Sequence, residues 1–176
     1  MDDAAAQPGA TRTGLGTDRH PFGPGDGLWL GGVEIAGAPR LHGHSDGDAA
    51  LHAVAGALLG AAAIGDLGEL YPADARTPPG SASSGFVRDV VARLGAAGWA
   101  PLSVDVTIRA ARPMLGPSLP GMRDAIARLL GIETAAVSVK ASSGNLSGDA
   151  GAGRVIEAEA VATIARSGGE AGGAGS

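Results

Sequence analysis

Apolar residues recur along the chain with two periods, and each period marks a different kind of element. A repeat of two residues places apolar side chains on one face of a strand, and a repeat near 3.6 places them on one face of a helix. Strands are predicted at 28–35, 102–109, 135–141 and 154–164, and a further strand ends near residue 20. The Gly31-Gly32 pair divides the first of these stretches and indicates a hairpin or a bulge.

Three stretches have the helical period instead. The first begins at Ser45 and ends at Gly65, and the other two are predicted at 86–97 and 119–130. Ser45 is the expected N-cap of the first helix, and Asp48 lies three residues on, where the acid of a capping box belongs. Prolines and serines fill the long connection between the first two helices. A connection of that length is uncommon in a compact domain unless it is functional or mobile.

The order of these elements favours an α+β fold, because helices are interspersed with hairpin-like pairs of strands. We expect a four-stranded mixed sheet with helices packed on one face, of the ferredoxin-like kind. The apolar periodicity is absent from 1–12 and from the glycine-rich stretch 167–176. We therefore expect a single folded domain at 13–166 between two disordered tails.

Charge and composition exclude several classes of function. The net charge is −5 and the basic residues form no cluster, so we expect no nucleic-acid partner. The chain has no cysteine, so any transition metal must be bound by histidine and carboxylate side chains. The apolar stretch 49–65 is interrupted by His52 and is too short to cross a membrane. The first residues lack the features of a secretory signal, and we expect a cytoplasmic protein without a membrane partner.

The segment 42–52, HGHSDGDAALH, concentrates three of the four histidines in eleven residues. Upstream, Asp18 and His20 lie two apart on a predicted strand, so their side chains point the same way. With His52 they would supply one carboxylate and two imidazoles and leave a fourth tetrahedral position open, as in catalytic zinc sites.

Spacing alone also allows a simpler interpretation of the same segment. Ser45 and Asp48 would then act only as helix caps, and His42 and the other histidines would be solvated or packed side chains.

Longer motifs resemble one known family. GLGTDRHPFG at 14–23, LWLGGVEI at 28–35 and LHGHSDGDAALHAVAGALLGAAAIGDLGELYP at 41–72 are similar to the methylerythritol cyclodiphosphate synthases of non-mevalonate isoprenoid biosynthesis. VDVTI at 104–108, the Pro113–Leu115 turn, MRDAIARLL and VSVKA continue the match in the same order. The resemblance covers roughly 13–165.

The resemblance implies a homotrimer of α+β subunits with active sites between neighbouring subunits. Each subunit would bind one zinc ion through Asp18, His20 and His52. The zinc would hold the β-phosphate of a cytidine-diphosphate-linked methylerythritol. A second phosphate on the same molecule would attack it, close a cyclic diphosphate and expel CMP, which is the reaction of a phosphorus-oxygen lyase.

The same resemblance implies the other site residues. His44, Ser45 and Ser143 are the expected catalytic residues, with Ser143 supplying a hydroxyl where the family has threonine. Asp66 is expected to contact sugar hydroxyls. The expected substrate-binding residues are Asp18, His20, Asp66, Leu67, Gly68, Tyr71, Pro72, Ala110, Arg112, Pro113, Met114, Leu115, Ser142 and Asn145.

The chain departs from the family pattern on the side that would bind the diphosphate and the nucleotide. Asn145-Leu146 stands where the family has Glu-Lys, which argues against a second metal, magnesium or manganese. Met114 stands where a lysine is usual, and an Asp-Ser pair is absent near residue 82. Arg109 and Arg112 could replace the lost cations or be exposed strand-end charges.

Two alternatives to the synthase reaction follow from these departures. The chain could keep the zinc site and act on a different phosphorylated or nucleotide-linked substrate. It could also be a non-catalytic zinc-binding trimer.

Overall fold

The computed structural model describes residues 9–167. The elements of this part of the chain are β1 (Thr11–Leu30), β2 (Val33–Leu41), α1 (Ala49–Ala62), α2 (Leu67–Leu70), α3 (Ser83–Ala96), β3 (Trp99–Arg109), α4 (Leu119–Leu130), β4 (Val137–Ser142), α5 (Gly148–Gly151) and β5 (Val155–Arg166). Short 3₁₀ turns lie at Gly116–Ser118, Thr134–Ala136 and Gly144–Leu146.

The strands form a mixed sheet in the order β2-β1-β5-β3-β4. β3 and β4 are parallel, and the other neighbouring strands are antiparallel. The α+β class is confirmed, whereas the predicted number of four strands is wrong, because β2 adds a fifth. The ferredoxin-like assignment is also wrong. That fold has the order strand-helix-strand-strand-helix-strand, but this chain begins with a hairpin and joins two parallel strands through α4.

The turn between β1 and β2 accounts for the extra strand. Leu30 pairs with Val33, so Gly31 and Gly32 form a two-residue hairpin turn. Their φ angles are 60° and 79°, a region that glycine adopts without steric cost. The predicted hairpin is therefore confirmed. Its first strand is continuous with the predicted strand that carries Asp18, and the two form one long element.

Helix boundaries differ from the prediction where tertiary contacts set them. Asp48 and not Ser45 is the N-cap of α1, because the Asp48 carboxylate accepts the N–H of Leu51 (3.0 Å). α2 is a short helix inside the long predicted connection, and α3 begins at Ser83, three residues earlier than predicted. The bounds of α4 agree with the predicted helix.

At both ends of the described chain, ordered contacts extend just past the predicted domain bounds of 13–166. β1 begins at Thr11 and pairs there with β5, so strand pairing orders residues before the predicted domain boundary. At the other end, Ser167 donates its N–H to the carbonyl of Gly98 (3.0 Å). The remaining residues of the two predicted tails, 1–8 and 168–176, lie outside the described residues.

α1 lies directly on β1 because glycines leave room for its backbone. A Cβ at Gly16 would lie 2.0 Å from the carbonyl oxygen of Ala53, and one at Gly14 would lie 2.1 Å from that of Ala57. Only glycine at these positions permits such an approach of strand and helix backbones. The close contact holds the first turn of α1 against the part of β1 that carries Asp18.

Aliphatic side chains fill the space between the sheet and its helices. The largest fully buried side chains are Leu28, Leu30, Leu41, Leu51, Leu58, Leu59, Leu94, Ile108, Met122, Ile126, Ile156 and Ile164. Among the helices described for 9–167, none has the length and apolar character needed to span a bilayer.

Candidate active site

Asp18, His20 and His52 converge on one point. Oδ2 of Asp18 lies 2.8 Å from Nε2 of His20 and 2.9 Å from Nδ1 of His52. The two imidazole nitrogens are 3.3 Å apart. All three potential ligand atoms therefore lie within 4.8 Å of one another and could bind one metal ion.

β1 and α1 create this convergence. Asp18 and His20 project from the same face of β1 as Gly16, the face on which α1 packs. His52 lies in the first turn of α1, where its N–H bonds to the carbonyl of Asp48 (3.0 Å). The two interpretations of the sequence are thus compatible, because Asp48 caps the helix while His52 faces the strand.

The backbone orients the imidazole of His20. Its Nδ1 lies 2.8 Å from the carbonyl oxygen of His42. A carbonyl only accepts hydrogen bonds, so Nδ1 carries the hydrogen and donates it. In the neutral ring, Nε2 then presents its lone pair toward Asp18, which is the arrangement that a metal ligand requires.

The ionisation of these side chains favours a charge pair. Burial alone would raise the pKa of Asp18, but its hydrogen bonds with His20 and His52 outweigh burial and hold that pKa well below its usual range. Burial opposes the charged form of His20, yet the hydrogen bond and charge of Asp18 raise its pKa above the ordinary value. A metal that binds here must displace the proton from Nε2 of His20, so its affinity depends on pH.

A cleft of about 160 Å³ lies beside the three side chains. Its lining residues are His20, His44, Ser45, His52, Leu67, Gly68, Tyr71, Thr77 and Phe86. His44 also contacts the carbonyl of Thr77 through Nε2. The structure thus brings several predicted site residues together at the metal-ligand cluster, from β1, the segment before α1, and α2.

Comparison with known proteins identifies the family of this chain. A model of the YgbB family matches residues 11–165, nearly all of the described chain. The chain belongs to the YgbB family.

Two curated relatives match this YgbB-family chain over almost their full length. A protein of Chromobacterium violaceum is 45% identical over 155 residues, which cover 88% of this chain and 98% of that protein. A protein of Symbiobacterium thermophilum is 45% identical over 152 residues, which cover 86% and 97%. Both are named 2-C-methyl-D-erythritol 2,4-cyclodiphosphate synthase. The resemblance found in the sequence is confirmed, and the chain is an enzyme of that lyase class.

A solved structure shares the fold of this YgbB-family chain. It is a 2C-methyl-D-erythritol-2,4-cyclodiphosphate synthase in a form bound to CDP. The two chains are 33% identical with a TM-score of 0.78, and the match covers 87% of this chain and 99% of that one.

The predicted residues of α2 lie at the edge of the cleft. Asp66 is the N-cap of α2, and its carboxylate accepts the N–H of Glu69 (2.9 Å). Leu67 and Gly68 follow directly and line the cleft, and so does Tyr71, the C-cap of α2. Pro72 comes after Tyr71 and is not among the lining residues. One short helix therefore carries most of the predicted contacts on this side.

The remaining residues that the YgbB-family resemblance assigns form a second group, away from the cleft. They are Ala110, Arg112, Pro113, Met114, Leu115, Ser142, Ser143 and Asn145. The ends of β3 and β4 hold this group together, since Ala110 donates its N–H to the carbonyl of Ser142 (2.9 Å). β3 is two strands from β1, about 10 Å at the usual strand spacing. The predicted site residues of one chain thus lie in two separate groups.

Two large apolar side chains project into solvent at the second group and directly beside it. Met114 is 84% exposed and Leu146 is 77% exposed, although both are large and apolar. Asn145 and Leu146 have positive φ angles of 52° and 60°, which form a tight turn after β4. The positions where the resemblance led us to expect charged residues therefore present an amide and apolar groups.

Arg109 and Arg112 both contact other residues of the same chain. Arg109 forms an ion pair with Glu159 on the sheet face opposite α1. Arg112 lies with its guanidinium 4.5 Å from the centre of the Phe22 ring, and its Nε donates to the carbonyl of Gly153 (3.0 Å). Arg109 is thus part of the sheet surface, and Arg112 ties the turn after β3 to the segment before β5.

Two residues that lie in or beside the cleft are absent from the sequence prediction. Phe86 stacks on Tyr71 with ring centres 4.3 Å apart and lies 6.1 Å from the ring of His52. Ser83 is fully buried and its hydroxyl lies 2.8 Å from Nε2 of His52. Although the Asp-Ser pair expected from the resemblance is absent, one serine hydroxyl, that of Ser83, still lies beside His52. No local pattern signals these contacts, because they depend on how α3 packs against α1.

Proposed function

We propose that this chain is a zinc-dependent synthase of non-mevalonate isoprenoid biosynthesis. It would convert a cytidine-diphosphate-linked methylerythritol 2-phosphate to 2-C-methyl-D-erythritol 2,4-cyclodiphosphate and release CMP. The observation that carries the proposal is the convergence of Asp18, His20 and His52 beside a cleft, in a chain whose relatives bear the synthase name.

The donor set of the three side chains fits zinc. Two imidazole nitrogens and one carboxylate oxygen leave a fourth tetrahedral position for another ligand. Zinc bound there would neutralise charge on the β-phosphate and make its phosphorus more electrophilic. Asp18 stays ionised because its pKa is held low, and the carbonyl of His42 keeps Nε2 of His20 directed at the site.

The proposed chemistry exchanges one bond to phosphorus for another. An oxygen of the 2-phosphate bonds to the β-phosphorus, the bond from that phosphorus to the bridging oxygen breaks, and the electron pair leaves on CMP. Such a transfer needs mainly positioning and neutralised charge. We assign His44 and Ser45 to the phosphate oxygens, because both line the cleft beside the metal ligands. Ser143 would add a hydroxyl from the second group.

We further propose that the enzyme is a homotrimer with active sites between subunits. The cleft of one chain, about 160 Å³, is smaller than the roughly 300–1,000 Å³ of typical ligand pockets. In a trimer, the second group of one subunit would lie beside the metal ligands of its neighbour and bind the nucleotide, through residues such as Arg112 and Leu115. Asp66 would bind sugar hydroxyls at the junction.

The second divalent metal has weak support in this chain. Asn145 offers a neutral amide where a hard cation prefers a carboxylate. We therefore expect zinc alone to support turnover, with little further gain from magnesium or manganese. The synthase names of relatives at 45% identity favour this reaction over a different substrate and over a non-catalytic trimer.

Product analysis tests the proposed reaction. The purified, zinc-loaded protein would be incubated with the cytidine-diphosphate-linked methylerythritol 2-phosphate, with and without magnesium, and followed by phosphorus NMR. We expect CMP and the cyclic diphosphate in equal amounts. CMP together with an open-chain bisphosphate would indicate hydrolysis, and no CMP at all would exclude the synthase reaction.

A further inference from the structure

We propose that Ser83, supported by Asp46, is a positioning residue for the metal ligand His52. The pair fixes the tautomer of the His52 imidazole and directs Nδ1 toward Asp18 and His20. This inference rests on the proposed metal centre, but it concerns two residues that are not themselves ligands.

The contacts form a chain of hydrogen bonds from the helix α3 to the site. The Ser83 hydroxyl lies 2.8 Å from Nε2 of His52 and also contacts Oδ1 of Asp46. The backbone N–H of Ser83 donates to Oδ2 of Asp46 (2.9 Å). Ser83 has no exposed surface, so bulk water does not compete for its hydroxyl in this position.

The direction of these hydrogen bonds follows from the number of hydrogens available. An ionised carboxylate only accepts, so the single hydroxyl hydrogen of Ser83 goes to Asp46. The oxygen of Ser83 must then accept from His52, and Nε2 carries the hydrogen. In the neutral ring the lone pair lies on Nδ1, the atom that is 2.9 Å from Asp18. Metal-binding histidines generally need such an outer partner to hold the correct ring nitrogen toward the metal.

Ser45 is a weaker second partner of the same ring nitrogen. Its hydroxyl oxygen lies 3.2 Å from Nε2 of His52 and also accepts the N–H of Gly47 (3.1 Å). The hydroxyl hydrogen of Ser45 is thus available to the cleft that the residue lines. Ser83 is the shorter contact and the one that a carboxylate polarises, so we assign the positioning role to it.

Asp46 holds Ser83 in place from outside its own helix. The residue before α3, Ala82, has no side chain that could cap the helix, and Asp46 accepts the first helical N–H instead. Asp46 also accepts the N–H of Asp48 (3.2 Å), next to the start of α1. The N-termini of both helices are therefore joined at one carboxylate, which sets the distance between Ser83 and His52.

The zinc affinity of the whole chain tests whether Ser83 positions His52. The metal-stripped wild type and the Ser83→Ala variant would be titrated with zinc against a competing chelator, with Ser84→Ala as the matched control in the same helical turn. We expect Ser83→Ala to weaken zinc binding by about 10–100-fold, the usual effect of losing an outer partner. Ser84→Ala should bind zinc as the wild type does.

Cobalt spectra and a double variant separate positioning from general destabilisation. Ser83→Ala should alter the visible absorption of bound Co²⁺ while circular dichroism shows a folded chain. Asp46→Asn should weaken zinc binding less than Ser83→Ala, and adding it to Ser83→Ala should cause little further loss, since Asp46 acts through Ser83.

Three other outcomes would each contradict a different part of the proposal. Wild-type zinc affinity in Ser83→Ala would overturn the positioning role and leave the metal centre intact. Fully additive losses in the double variant would overturn the coupling between Asp46 and Ser83. A wild-type chain that binds no zinc would overturn the metal centre and the positioning role together.

Discussion

At the residue scale, the ionisation of Tyr71 can be used to test the contacts at the edge of the cleft. Its ring stacks on Phe86, and its hydroxyl donates to Asp89, which is also bonded by Arg93 (2.8 Å). Burial and then the hydrogen bond to Asp89 raise the pKa of Tyr71 to about 12. Tyr71 is the one tyrosine of the chain, so absorbance at 295 nm follows its ionisation alone.

We expect the folded protein to show a phenolate transition near pH 12, and Asp89→Asn to lower its midpoint because a negative charge is removed. Stability should fall between about pH 10 and 12, where the unfolded chain has lost this proton and the folded chain retains it. A folded-state midpoint near 10 would show that Asp89 does not act on Tyr71.

His52 is the ligand whose removal separates metal binding from folding. We expect His52→Ala to weaken zinc binding by more than about 100-fold, because loss of a ligand exceeds loss of an outer partner. Turnover should fall in parallel while the subunits stay assembled. His42→Ala is the control, since the exposed His42 contributes its carbonyl to the site and not its side chain. Loss of assembly in His52→Ala would mean that the metal is structural.

At the scale of elements, the contact between β1 and α1 determines whether the ligands meet. Gly16→Ala would place a Cβ 2.0 Å from the carbonyl of Ala53. We expect the free energy of unfolding to fall by about 1–3 kcal/mol, as for other overpacked cores. Zinc binding should weaken as well, because α1 carries His52 away from β1.

Gly60→Ala is the matched control for this contact. It lies on α1, and a Cβ there would meet no atom within 4 Å. Alanine in an exposed helix should stabilise by about 0.5–1 kcal/mol. Urea unfolding of both variants measures the difference, and equal stability of the two would show that the helix can move off the strand without cost.

The elements that the sequence predicts well are those with a regular period. β3, β5 and α4 are found close to their predicted bounds, because the apolar period of each one can be recognised within its own short stretch of sequence. β1 is underestimated, since glycines and prolines interrupt its apolar pattern and pairing with β5 and β2 sustains it. The cap of α1 also depends on tertiary contacts and not on the local sequence. The N–H groups of Gly31 and Gly32 in the hairpin donate to the Asp48 carboxylate at 2.8 and 2.7 Å and hold it at the cap position.

The same distinction applies to the site. The two-residue spacing of Asp18 and His20 predicts their convergence, because strand geometry alone fixes it. Donor chemistry makes His52, at a predicted helix start, a candidate third ligand, and the family resemblance supports it, because no local spacing places that helix against the strand. Ser83 was missed because its contact with His52 depends on the packing of α3 and not on any local repeat.

At the scale of the whole molecule, an apolar pair lies on the open face of the sheet. Leu15 and Val161 are paired across β1 and β5 and are 63% and 43% exposed. They point away from α1, since Gly14 and Gly16 face the helix. We expect this face to be buried in the proposed trimer.

Leu15→Glu should therefore lower the mass found by sedimentation from three times 17.0 kDa to that of one chain. Turnover should be lost with assembly, because each proposed site combines residues of two subunits, while zinc affinity stays close to that of the wild type. Ala92→Glu adds the same charge on the exposed face of α3 and should leave the trimer intact. A Leu15→Glu trimer would place the interface elsewhere.

The most direct measurement is a zinc titration of the metal-stripped enzyme in which bound zinc and the initial rate of cyclic diphosphate formation are followed together. We expect no product without metal, and a rate that rises in proportion to bound zinc and levels off at one ion per subunit. A full rate in the metal-stripped protein, or zinc bound without any rise in rate, would contradict a catalytic metal held by Asp18, His20 and His52.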